Sequence, residues 1–368
     1  MFDEKPALRV KLTFAVFVII LGAFTALNRV ITPPEVSQSE RRTLAAMPAF
    51  TWKSVTSASF MDGFEDFAAD SFVFRDALRS VRAATVFYPF MQTDKDGLYL
   101  GAFGAGKFTP LDETSARQTA AKIRKAAEAL DGLNVYYSVI PDKSVYAERN
   151  YPSFDVDAAN AILAEELPEV TRVDLYDSLD NGSFYRTDLH WDQSRLSGVA
   201  EKLGSKMDFE YDAQTFYSET AGEFQGVYAG QLALPVKSDV LTYLIPSGTL
   251  TARYLNEKTL EWEYGEMYDL DAFSGRDPYD LFLRGAQPLI VIENANSNSE
   301  RELYLFRDSF ASSLAPLLTA TYRKITLIDL RYINFAYLPE FVTFERGSDA
   351  LFLYSSQILN SPAVLQVQ

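Results

Sequence analysis

Residues 303–329 read LYLFRDSFASSLAPLLTATYRKITLID. Leu303–Phe306 is a short apolar run of strand type, Phe310–Tyr322 an amphipathic stretch at helical spacing, and Ile325–Asp329 a second apolar run. Pro316 falls inside the helical stretch, so a kink or a restart is expected there. Ser309 stands where the first strand gives way to the helix. Such a turn exposes a hydroxyl and sets it beside the free amides of a helix N-terminus, where a developing oxyanion would be stabilised. The plainer use of a serine at this position is as an N-cap.

The same alternation continues outward. Val135–Ile140 is rich in β-branched and aromatic residues and ends at Pro141; before it, Glu113–Leu130 reads as a helix with Ile123 and Ala127 on one face and Gly132 as its stop. Leu289–Ile292 and Leu351–Tyr354 are further strands. Strands alternating with helices imply an α/β domain, a mostly parallel sheet with helices on both faces. Residues 205–285 break the pattern. They are rich in Tyr, Thr and Gly, alternate over Val240–Ile245, and read as a β-rich insertion. Its aromatics Trp262, Tyr264, Tyr268, Phe273 and Tyr279 are expected in the core of that module, with stacking on sugar rings as the other use.

Toward the N-terminus, Phe60–Phe87 has the spacing of one or two amphipathic helices. Leu98–Leu100 is a short strand candidate, and the glycine-rich Gly101–Gly106 lacks the Lys-Ser/Thr ending of a phosphate loop, so a flexible connection is expected. Thr32–Phe50 is a polar linker punctuated by Pro33, Pro34 and Pro48. Leu12–Leu27 carries no charge, and with Asn28–Ile31 it reaches twenty positions, enough for a bilayer core. Lys5, Arg9 and Lys11 before it would also suit a signal peptide, but no small-x-small cleavage site follows, so an uncleaved anchor is expected. Basic residues on both flanks barely choose its orientation.

Composition removes much of the usual catalytic repertoire. The 368 residues include no Cys, which excludes disulfides, thiol catalysis and Cys-based metal sites, and a single His, which excludes a metal site built on two imidazoles. A carboxylate site for Mg²⁺ or Ca²⁺ stays open. The formal net charge of −16 argues against a nucleic-acid surface.

The one histidine sits in Arg186-Thr187-Asp188-Leu189-His190-Trp191-Asp192. Leu196, Val199, Ala200 and Leu203 follow at helical spacing, with Gly204 as a cap and Asp192 as a candidate N-cap. Asp188 and His190 therefore lie on the loop feeding a helix, close enough for the carboxylate to orient the imidazole as in a hydrolytic triad.

Thr187–Trp191, then Asp308-Ser309-Phe310, then Ile328–Tyr332 (IDLRY), resemble in order and spacing the DHHW family, which is similar to the alginate O-acetylation proteins of the SGNH-hydrolase superfamily. Asp70–Arg75 (DSFVFR), Asp96–Leu100 (DGLYL) and Ile140–Lys143 (IPDK) are further matching pieces. Two positions depart: Leu189 stands where the family name expects a second His, and Arg307 where the Gly-Asp-Ser block carries Gly. The resemblance implies an SGNH-like sheet with circularly permuted motif order, spread over residues 60–204 and 286–368. The anchor (1–31), a linker (32–59) and the insertion (205–285) make up the rest. It implies Ser309 as nucleophile, His190 as general base and acid, Asp188 as orienting acid, and Arg331 and Tyr332 as substrate-binding residues. No metal or other cofactor is implied.

The activity so implied is O-acetyl transfer to a cell-surface polysaccharide or oligosaccharide, by a domain held outside the cell membrane and supplied by a membrane-bound O-acyltransferase partner. A carbohydrate acetylesterase uses the same three groups with water as acceptor. A non-catalytic polysaccharide-binding or assembly subunit would keep the fold without turnover.

Overall fold

A computed structural model of the chain describes residues 5–31, 34–147, 153–297 and 299–367. Thr32 and Pro33 of the expected linker lie outside the described residues. The chain divides into two compact units, residues 1–92 and 93–368.

In the first unit, α1 (Lys5–Val30) is a 26-residue helix, about 39 Å long at ~1.5 Å per residue. Its stretch Arg9–Asn28 is long and apolar enough to cross a membrane, and its large side chains from Val10 to Leu21 are exposed. The polar segment after it contains a small hairpin, β1 (Val36–Ser37) against β2 (Arg42–Thr43). Then come α2 (Trp52–Thr56), α3 (Ser59–Asp70) and α4 (Arg75–Phe87), so the expected helical stretch is two helices broken at Ser71–Phe74, where Phe74 has a φ of 61°. Asp70 closes the break. It accepts both η nitrogens of Arg42 at 2.6 and 2.7 Å and the amide of Ala45 at 2.9 Å. The Arg42 guanidinium holds the Asp70 carboxyl down at about 2. Glu40 gathers Arg75 and Arg79 beside it.

The second unit opens with β3 (Asp94–Lys95), β4 (Leu98–Gly101) and β5 (Gly104–Lys107), a three-stranded meander. Gly101–Gly106 is therefore a hairpin and not the expected loose connection. A Cβ on Gly104, at a φ of +112°, would stand 2.2 Å from the carbonyl oxygen of Arg186, so glycine lets this hairpin dock on the loop that carries His190.

Next come α5 (Glu113–Glu128), β6 (Asn134–Ile140), α6 (Val156–Glu166), β7 (Thr171–Arg172) and α7 (Ser197–Met207). Asp192 caps a 3₁₀ turn before α7, and α7 runs past Gly204 to an αL stop at Asp208. Gly204 is needed for close approach instead of capping: a Cβ there would meet the Phe209 carbonyl at 2.4 Å. The segment read as an insertion supplies β8 (Phe216–Phe224), α8 (Val227–Leu232), β9 (Asp239–Pro246), β10 (Leu250–Leu255), β11 (Trp262–Gly265) and α9 (Leu270–Phe273). β8 and β9 form their own hairpin, whereas β10 and β11 extend the large sheet. The chain ends with β12 (Leu289–Asn294), β13 (Glu302–Arg307), α10 (Ala311–Leu314), β14 (Lys324–Ile328), β15 (Asp349–Ser355) and α11 (Ser356–Leu359).

Among the described residues the large sheet has eight strands in the order β11-β10-β12-β14-β13-β15-β6-β7. The pairings from β14 to β7 are parallel and the three at the other end antiparallel, so the expected mostly parallel sheet holds. Alternation along β13 splits the core. Leu303 and Leu305 join Leu351, Leu353, Val199 and Leu314 on one face; Tyr304 and Phe306 join Phe352, Ile123 and Ile162 on the other. Helices cover both faces, as expected.

From β13 the chain passes to β14 on one side and then crosses back to β15 on the other. This reversal of order opens a crevice at the strands' carboxyl ends. Phe310–Tyr322 departs from the amphipathic expectation: α10 runs directly into a 3₁₀ turn through Pro316, and both are buried all round. Ser312 and Ser313, polar in sequence, are buried because they take hydrogen bonds from Arg307 and from Trp191 and Tyr279.

Candidate active site

Three sequence-distant groups meet at the carboxyl edge of the sheet. Ser309 follows β13 and is half-buried between fully buried neighbours, which leaves its hydroxyl reachable. Asp308 shapes the turn, its Oδ1 accepting the Phe310 amide at 3.1 Å and its Oδ2 the Ser355 amide at the end of β15 at 2.8 Å. The Ser309 hydroxyl lies 2.8 Å from His190 Nε2, and His190 Nδ1 lies 2.7 Å from Asp188 Oδ1. A carboxylate only accepts, so Nδ1–H donates to Asp188 and Nε2 is left to accept the serine proton. Asp188 and His190 are 1% and 5% exposed, so this chain of hydrogen bonds is shielded from water up to the serine.

The loop holding Asp188 and His190 is tied on every side. The Tyr185 amide donates to the His190 carbonyl at 3.0 Å and the Asp192 amide to the Ser183 carbonyl at 2.8 Å, which closes a tight reversal. Asp239 at the start of β9 accepts the amides of Arg186 and Thr187, each at 2.7 Å, and the Thr187 hydroxyl at 2.5 Å. The Val227 amide, opening α8, donates to Asp188 Oδ2 at 3.0 Å. Gly226 before it is required sterically, since a Cβ would lie 2.4 Å from the Cβ of Asp188. Trp191, wholly buried, donates from Nε1 to the Phe310 carbonyl and the Ser313 hydroxyl, both at 2.9 Å, and so fastens the histidine loop to the segment after Ser309.

The remaining sequence candidates lie elsewhere along this edge. Arg331, after β14, donates from Nε and Nη2 to the buried Asp329 at 2.8 and 2.7 Å, and its guanidinium lies 5.4 Å from the Tyr332 ring. That partnership holds the Arg331 proton well above the usual arginine range against the opposing effect of burial. Tyr332 is exposed. Arg307 is fully buried beneath the nucleophile turn, with Nη1 donating to the Ser312 hydroxyl at 2.9 Å; burial lowers its guanidinium from the ordinary value.

Tyr279, expected in the core of the insertion or on a sugar ring, is buried and lies on the face of His190, and sequence reasoning missed Asp239, which anchors the loop. Neither stands in a local pattern with the histidine. Among the described residues no cluster of His, Asp and Glu has the grouping of a metal site.

No protein-family model matches the sequence, and no curated protein matches it. Solved structures do share its fold. A DHHW family protein from Eubacterium siraeum superposes with a TM-score of 0.62 at 21% identity over 73% of this chain and 93% of its own. PatB1 of Bacillus cereus superposes with a TM-score of 0.59 at 17% identity over 74% of this chain and 99% of its own. A second structure of PatB1, carrying a sulfonyl adduct, gives 0.56 at 17% identity over 71% and 95%. The resemblance to the DHHW family seen in the motifs thus holds at the level of the fold.

Proposed function

We propose that this chain is a serine-dependent O-acetyltransferase of the cell envelope, acting on a polysaccharide or oligosaccharide. The observation that carries this reading is the continuous hydrogen-bonded line from Ser309 through His190 to Asp188. In the first half-reaction Ser309 Oγ attacks the carbonyl carbon of a donor acetyl ester while His190 Nε2 takes the serine proton. That proton then passes to the departing donor oxygen, leaving acetyl-Ser309 and the donor alcohol. In the second, His190 takes the proton of an acceptor sugar hydroxyl, whose oxygen attacks the acetyl carbon. Ser309 leaves and regains the proton. Asp188 keeps the imidazole in the tautomer that accepts at Nε2 and stabilises the imidazolium formed in each half. The cycle conserves the acetyl group and one proton, so no metal or nucleotide is required.

The permuted SGNH order and the roles of Arg331 and Tyr332 in gripping the substrate belong to the same reading. So does α1 as a single-pass anchor that holds the domain on the outer side of the cell membrane, beside an O-acyltransferase that delivers acetyl groups. A sulfonyl adduct is known on PatB1, which makes a sulfonyl fluoride the natural probe. Treated with one, the full chain should gain a single adduct on Ser309, and Ser309→Ala should gain none. Incubated with an acetyl ester and soluble oligosaccharides, the wild type should yield acetylated sugar. Labelling at another serine, or no acetyl release to sugar or water, overturns the proposal.

A further inference from the structure

Lys143 follows β6 at the carboxyl edge, on a short 3₁₀ turn capped by Asp142, and is 5% exposed. Its ammonium donates to the carbonyl oxygens of Tyr185 at 2.7 Å and Asp188 at 3.1 Å, and lies 5.6 Å from the ring centroid of Tyr228 in α8. Tyr185 and Asp188 belong to the reversal that presents His190. One buried cation therefore grips the base and the tip of that reversal beside α8, whose Tyr228 ring faces the ammonium and whose Val227 amide holds the Asp188 carboxylate. A buried ammonium is costly unless its hydrogen bonds are well met, and charge-assisted bonds to carbonyls are about twice as strong as neutral ones.

We propose that Lys143 is a positioning residue: its charged ammonium clamps the Tyr185 and Asp188 carbonyls and so keeps His190 aligned on Ser309. Burial brings the Lys143 ammonium down to about 8, against the carboxylates of Asp188, Asp142 and Asp239, which favour the charged form. The charge of Lys107 also acts on the Asp142 carboxylate. The phenols of Tyr185 and Tyr228 stay protonated, pushed up by burial. The clamp is thus charged at neutral pH and loses its charge as pH rises through about 8.

The chain has one imidazole, so its ring resonance reports on the loop without ambiguity. With ¹³C-histidine in the full-length protein in detergent, the ring signal should show an inflection near pH 8, beyond the ring's own protonation. It should vanish in Lys143→Met and in Lys143→Gln. The second variant keeps two N–H donors without the charge, and carries the test should the first fail to fold. In the kinetic arm, which rests on the acyl-transfer reading, kcat/KM for p-nitrophenyl acetate, read at its isosbestic wavelength, should fall above about pH 8 in the wild type. Lys143→Gln should be about three- to tenfold slower at pH 7 with KM unchanged, and flat across that range. A ring signal and a kcat/KM at pH 7 that Lys143→Gln leaves as in the wild type overturn the inference. An inactive wild type with the inflection present overturns the acyl-transfer reading and leaves the clamp standing.

Discussion

The imidazole of His190 lies flat on the phenol ring of Tyr279, with centroids 3.7 Å apart and planes 6° from parallel. The Tyr279 hydroxyl donates to Ser313 at 2.8 Å, so the ring is fixed from its far end to the segment that follows Ser309. A π-face favours a cation above it, and the proposed mechanism forms an imidazolium in both half-reactions. Tyr279→Leu should lower kcat about tenfold, equivalent to about 1.4 kcal/mol. Tyr279→Phe should keep most of the activity and lose about 1 kcal/mol of stability with the hydroxyl. Equal kcat in the leucine variant and the wild type would remove the ring from the mechanism.

Ser309→Ala and His190→Ala should each abolish acetyl transfer; Tm should stay nearly unchanged in Ser309→Ala, which removes one hydroxyl, and fall in His190→Ala, which strips a buried ring from Tyr279 and Asp188. Asp188→Asn should cost about a thousandfold or more in kcat, since an amide on the Nδ1 side no longer enforces the accepting tautomer at Nε2. Comparable activity in Asp188→Asn and the wild type would show that the histidine needs no orienting acid.

Two glycine-to-alanine changes should part company. Gly226→Ala puts a methyl 2.4 Å from the Cβ of Asp188 and the Thr187 carbonyl, so the turn must shift; a loss of about 1–3 kcal/mol and at least tenfold in kcat is expected. Gly198→Ala, in α7, meets nothing closer than 3.5 Å and should leave activity intact with a stability gain of about 0.5–1 kcal/mol. Paired measurements of Tm and kcat distinguish the outcomes, and full activity in Gly226→Ala would show that Asp188 tolerates displacement.

Asp70 couples the first unit to acid. Arg42 holds its carboxyl at about 2, below the ordinary 3.8, so the unfolded chain binds the proton more readily. The stabilisation is complete above about pH 4 and disappears as pH falls through about 2. Asp70→Asn should therefore destabilise this unit by about 2 kcal/mol at pH 7 and match the wild type near pH 2. A constant difference between the two unfolding curves across that range would assign the effect to shape instead of charge.

The full chain should partition into membranes and need detergent for extraction, whereas a chain beginning at Pro34 should be soluble, because the apolar exposed surface of α1 is removed. Native protein whose N-terminus starts near residue 30 would show α1 to be a cleaved signal.

What local pattern determines was legible in the amino-acid order. Continuous apolar runs in Leu303–Phe306 and Leu351–Tyr354, with helical spacing in stretches such as Glu113–Leu130, are enough for a sheet covered on both faces, because strands apolar at every position bury both sides. A lone histidine two residues after an aspartate and a serine at a strand's end are likewise visible, since their chemistry is written in residue type. Contacts that close in space were not. Ser312 and Ser313 lie in a stretch read as amphipathic, yet Arg307, Trp191 and Tyr279 bury and satisfy them; Gly204 read as a cap, yet it makes room for Phe209. His190 and Ser309 are 119 residues apart, and Trp191 brings them within 2.8 Å by fastening the histidine loop to the segment that follows β13. Residue type and period determine what a side chain can do and which way it faces. Which partner it meets is decided by how distant segments pack, a property of the folded chain that no single stretch of sequence contains.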